Sequence, residues 1–146
     1  MDIEQVSSLC ARECIRQHVG LDRVAFLLTA YYTALKMNKD GLPTLENIIE
    51  LSGIIEPVDA GKIRHIPVTF ANGTRAVAPN DVPLAIERLF EHGLDENNTD
   101  VDFFVKSFLD IHPFQDGNGR TAFILYNWLN KSLDKPLTLP NYYGEK

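Results

Sequence analysis

Apolar residues recur at spacings of three and four from Ile3 to His18 and again from Asp22 to Met37, the period that gathers side chains on one face of a helix. Val19-Gly20 closes the first run, and Asp22 is a candidate cap for the second. A loop at Asn38-Lys39-Asp40-Gly41 follows, and Pro43 leads into a shorter helical run from Thr44 to Leu51, ended by Ser52-Gly53. After Pro57 the pattern changes. Ile63 to Phe70 and Thr74 to Val77 flank Asn72-Gly73, a dipeptide whose two positions tolerate positive φ, so the pattern predicts a β-hairpin. Pro67 has no N–H to give a ladder, which makes its arm an expected open edge. Helix resumes from Pro83 to Glu91 with Asp81 as a candidate cap, and Leu94 to Asp100 is a polar connection. The last two helical runs are Val101 to Ile111 and Thr121 to Leu133. The chain is therefore expected to be mainly α, a helical bundle with one β-hairpin, forming a single domain over residues 1–146.

Between the last two helical runs stands His112-Pro113-Phe114-Gln115-Asp116-Gly117-Asn118-Gly119-Arg120. Its residue types suit phosphate chemistry. An imidazole titrates near neutrality, so His112 can take the proton of an attacking hydroxyl. Asp116 can hold Mg²⁺, which prefers oxygen ligands and bridges carboxylate to phosphate. Gly117 and Gly119 let the main chain approach an anion, and the run enters a helix N-terminus, whose free N–H groups attract negative charge. Gly117, Asn118, Gly119 and Arg120 thus form a candidate nucleotide cradle, with Asn118 stabilising charge on the transferred group and Arg120 neutralising the leaving phosphate. Phe114 has no polar role and is expected to pack beneath the loop.

The run resembles the signature of the Fic family, His-x-Phe-x-Asp/Glu-Gly-Asn-Gly-Arg-x-x-Arg, matched at every specified position through Arg120. The order of helices and hairpin, with Gly61-Lys62-Ile63-Arg64 before the first arm and Ala78-Pro79 after the second, is similar to the Fic fold and its flap. The resemblance implies His112 as general base, Asp116 as the Mg²⁺ ligand, and transfer of AMP from ATP to a Ser, Thr or Tyr hydroxyl of a target protein. It also implies a docking role for the flap at Ile66, Pro67 and Val68, whose edge would accept a target segment by main-chain pairing.

Phe123 departs from the pattern, standing where the full signature has its second Arg, and a phenyl ring cannot make a guanidinium's phosphate contacts. Three readings follow: ATP held by Arg120 alone, a donor other than ATP, or a Fic fold with weakened catalysis that binds nucleotides or proteins as a regulatory module. The family's kinase branch fits less well, since it carries Lys where this chain has Gly119. Family members often carry an inhibitory Ser/Thr-x-x-x-Glu-Gly/Asn motif. Glu46-Asn47 and Glu96-Asn97 have its final dipeptide, but Leu42 and His92 stand at the Ser/Thr position. Any inhibitor is therefore expected to be a separate, antitoxin-like chain.

Charge and cysteine content narrow the surroundings. A net charge of −6 and no Lys/Arg cluster argue against nucleic acid and favour a basic protein target. The acidic N-terminus, Met1-Asp2-Ile3-Glu4-Gln5, precedes no long apolar stretch, so neither a Sec signal nor a membrane anchor is expected and the cytoplasm is the expected location, secretion by another route remaining open. Cys10 and Cys14 continue a helical face with Val6 and Leu9 and are expected to be buried small hydrophobes.

Overall fold

The computed structural model describes residues 2–37 and 40–143, so Asn38 and Lys39 of the expected loop lie outside the described residues. Six α-helices appear among them: α1 (Ile3–Arg16), α2 (Arg23–Lys36), α3 (Leu45–Ile55), α4 (Val82–His92), α5 (Val101–Ile111) and α6 (Asn118–Leu129). A single 3₁₀ turn, Pro79–Asp81, leads into α4.

Local chemistry explains most boundaries. The Asp2 carboxylate accepts from Gln5 N–H at the start of α1, and the Asp100 carboxylate accepts from Phe103 N–H at the start of α5. Thr44 and Asn47 form a reciprocal capping box on α3. Asp22 and Asp81, expected as caps, make no side-chain capping bond. The expected stop at Ser52-Gly53 is also corrected: α3 continues through Gly53 to Ile55. Glycine is used there for close packing, since a Cβ on Gly53 would stand 3.3 Å from the carbonyl carbon of Ala60.

The α6 helix is the centre of the molecule. Nine of its residues, including Arg120, Phe123 and Trp128, are buried, as a helix enclosed on several sides requires. It packs against α1, α2, α3 and α5. Cys10 and Cys14 lie unpaired in the same core, and burial pushes the Cys10 thiol up to about 12. These are packing residues, as their spacing suggested.

The expected flap needs correction. Among the described residues there is no strand; the segment holds two isolated antiparallel bridges, Thr69 with Arg75 and Ile63 with Phe114 of the signature loop. The turn itself is where Asn72-Gly73 placed it: Gly73 has φ +89°, Gly73 N–H donates to Phe70 C=O, and the Asn72 side chain accepts from Thr74. Ladder formation is prevented by competition for main-chain groups. Pro67 supplies no donor, and the Arg64 guanidinium takes the carbonyls of Ile66 and Val77. Ile66, Pro67 and Val68 therefore form no strand edge; Ile66 sits at a bend, and the Val68 carbonyl already accepts from Ala76.

Candidate active site

His112 closes α5 in the left-handed region, φ 53° and ψ 61°, its N–H donating to Phe108 C=O. L-residues with a Cβ resist this conformation, so its presence marks a position held by its surroundings. The main chain there turns sharply into Pro113 and Phe114. Phe114 is buried and packs against Phe108, as expected for the floor of the loop. The imidazole is half-buried. A neutral imidazole carries its proton on one ring nitrogen and keeps the other as a proton acceptor. Its pKa is lowered, first by burial and then by the Arg64 guanidinium, against opposing effects of the Leu109 carbonyl and the Asp116 carboxylate. Phe70, near the tip of the 69–75 turn, meets the ring edge-on at 5.4 Å between centroids. Tyr143 stacks on Phe70 at 5.8 Å and donates its hydroxyl to Asp110. The C-terminal tail thus braces the aromatic group facing His112.

Asn118 shapes the loop from within. Its Oδ1 accepts from Phe114 N–H at 3.0 Å and its Nδ2 donates to Phe114 C=O at 2.8 Å. That amide, expected to stabilise charge on a transferred group, is spent in this structure on holding the main chain. Gly117 takes φ +82° just before α6, and its N–H donates to the Asp116 carboxylate at 2.8 Å. The first helical bond of α6 runs from Thr121 N–H to Gly117 C=O, so the N–H groups of Asn118, Gly119 and Arg120 lie ahead of the intrahelical ladder. Gly119 is closely covered: a Cβ there would lie 2.4 Å from Oε1 of Gln17, whose side chain is tied to Glu13 at 3.0 Å. The end of α1 therefore forms one wall of the cradle.

Arg120 is almost wholly buried. Its Nη1 lies 2.8 Å from the buried Glu56 carboxylate and its Nη2 lies 3.3 Å from Asp116. Arg23 reaches the same Glu56 oxygen at 3.5 Å. The Arg120 to Glu56 contact is a charge pairing without hydrogen-bond alignment, since Arg120 Nε and Nη1 have no hydrogen-bond partner among the described residues. Glu56 was not singled out in the sequence; one carboxylate ahead of Pro57 carries no sign that it will meet a distant arginine.

Asp116 is the residue best placed to hold a cation. Its carboxylate is 58% exposed, with Oδ1 engaged by Gly117 and Arg120. Among the described residues no three His, Cys, Asp or Glu groups converge on one point. The donor set fits Mg²⁺, which keeps several waters and uses one or two carboxylates plus substrate phosphates. Phe123, by contrast, is fully buried and lies against Tyr31 at 5.9 Å between centroids. It is a core side chain.

Comparison with known proteins finds relatives over much of the chain. The model of the Fic/DOC family matches residues 42–130, more than half of the chain. Protein adenylyltransferase Fic of Culex quinquefasciatus is 31% identical over 110 residues, covering 68% of this chain and 22% of that protein. The protein of the same name from Drosophila grimshawi is 34% identical over 97 residues, covering 59% of this chain and 20% of its own length. The match therefore spans only about a fifth of these relatives. Among solved structures, a Fic-1 chain from C. elegans superposes with a TM-score of 0.59 and 25% identity, over 82% of this chain and 39% of that one.

Proposed function

The chain belongs to the Fic/DOC family, and on that premise we propose that it transfers AMP from ATP to a Ser, Thr or Tyr hydroxyl of a target protein. The observation that carries this reading is His112: a half-buried imidazole whose pKa is lowered by burial and by the Arg64 guanidinium, beside a helix N-terminus whose first N–H groups lie ahead of the intrahelical ladder. Such a group removes the proton of an incoming hydroxyl as it attacks phosphorus. Main-chain N–H groups of Asn118, Gly119 and Arg120 are the candidate contacts for the donor phosphates, and Asp116 would hold Mg²⁺. The ion's contribution is to neutralise phosphate charge. Arg120 adds its field to the cradle from beneath, with Nε and Nη1 lacking hydrogen-bond partners among the described residues.

A second reading rests on Arg120 and Phe123. Arg120 is held by Glu56, and Phe123 faces the core, so the grip on outer phosphates is weaker than two free guanidinium groups would give. This favours a donor other than ATP, or a binding module with slow chemistry. Incubation with Mg²⁺ and labelled ATP, GTP, UTP or CTP in a lysate, followed by intact-mass measurement, separates the readings. An added AMP supports the first, another nucleotide supports a different donor, and binding without an adduct supports the module.

A further inference from the structure

We propose that Arg64 is a positioning residue for His112, fixing the left-handed turn that aims the imidazole and anchoring the segment that faces it. The proposal rests on the reading of His112 as the base. Arg64 is 2% exposed, and among the described residues its guanidinium bonds only to main-chain carbonyls. Nε donates to His112 C=O at 2.5 Å, Nη2 to Ile111 C=O at 3.0 Å, and the Arg64 main-chain N–H to Pro113 C=O at 2.9 Å. Three consecutive carbonyls, on both sides of the strained His112, are thus tied to one residue. The same guanidinium donates to Ile66 C=O at 2.8 Å and to Val77 C=O, the two stems of the turn that carries Phe70.

Physical chemistry explains why an arginine stands here. The carbonyls of Ile111 and His112 end α5, where the helix has acceptors to spare and its dipole favours a cation. A buried charge is costly unless well bonded, and these acceptors supply the bonds. A lysine would keep the charge but lacks the planar fork needed to span four carbonyls at once. The groups acting on the imidazole are Arg64 from the turn segment, Asp116 from the loop, and the Leu109 carbonyl from α5. Arg64 is the cation among them, so it also favours the neutral ring.

The experiment pairs Arg64→Lys with Arg64→Met. In Arg64→Lys, kcat for AMP transfer should fall ~100-fold, the scale expected when a catalytic group is misplaced by about an ångström. KM for ATP should stay within about threefold, because Arg64 contacts no part of the cradle. In Arg64→Met the His112 ring, followed by NMR titration, should protonate at higher pH than in wild type, and the acid limb of kcat should move up with it. Wild-type kcat in the lysine variant, or an unmoved His112 titration in the methionine variant, overturns the proposal. If the wild type transfers nothing, the proposed activity fails while the NMR titration still decides Arg64. Should neither variant fold, the wild-type scalar coupling across the bond from Arg64 Nε to His112 C=O decides it: its presence supports the anchor and its absence rejects it.

Discussion

At His112, the proposed base, a chemical demand and a conformational one meet in one residue. The ring must be neutral to accept a proton, and burial with the Arg64 charge lowers its pKa. Activity should therefore persist to a pH below the ordinary imidazole value of about 6.5, which a pH profile of kcat/KM will display as an acid limb on that side. The sign for stability follows. A histidine whose folded pKa is depressed stabilises fully above its unfolded value, and that contribution is lost as pH falls through the folded one. His112→Ala should lower transfer ~100- to 10,000-fold while calorimetry finds ATP affinity close to wild type. At Asp116 the proposed role of cation ligand is superposed on the observed one, the acceptor for Gly117 N–H. Asp116→Asn keeps a side-chain acceptor and removes the charge, so it should lose the Mg²⁺-dependent part of ATP affinity with little change in melting temperature. Equal Mg²⁺ dependence in mutant and parent would remove Asp116 from the ligand set.

At the level of elements, the junction of α3 and α6 is the sensitive one. Glu56 follows the last residue of α3 and meets Arg120 in the first turn of α6, both enclosed. Glu56→Ala should destabilise by ~3–5 kcal/mol, because a buried guanidinium loses its main counter-charge; urea unfolding measures it. On the next turn of α6, Phe123→Arg should melt early instead of restoring a phosphate contact, since the side chain faces Tyr31 in the core. Binding of ATP by a well-folded arginine variant, tighter than by the parent, would contradict that orientation. The helices were legible because their signal is local: apolar spacing gave α5 its observed limits and the other five helices to within a few residues, while the capping box of Thr44 and Asn47 went unread and the expected caps Asp22 and Asp81 make no capping bond. The signature residues were legible as a set for the same reason. The flap was not. Its fate turns on Arg64 bonding to carbonyls at 66, 77, 111 and 112, a contest between side chain and main chain that no periodicity records. Gly53 misled because a glycine that permits close packing inside a helix reads the same as one that ends it.

For the whole molecule, the candidate site lies at the end of the most buried helix, so its geometry is inherited from the core. Among the described residues no helix is long and apolar enough to cross a membrane. The net charge of −6 is the ground on which a basic target is expected. One feature of the loop sets the protein's economy of stability against its chemistry. A left-handed residue with a Cβ stores ~1 kcal/mol or more that asparagine would largely release. His112→Asn should therefore melt a few degrees higher than wild type while losing transfer, as scanning calorimetry beside the mass assay will test. Under selection for heat resistance alone the imidazole would be among the first residues discarded, and a library screened only for survival would drift toward a sturdier, silent protein.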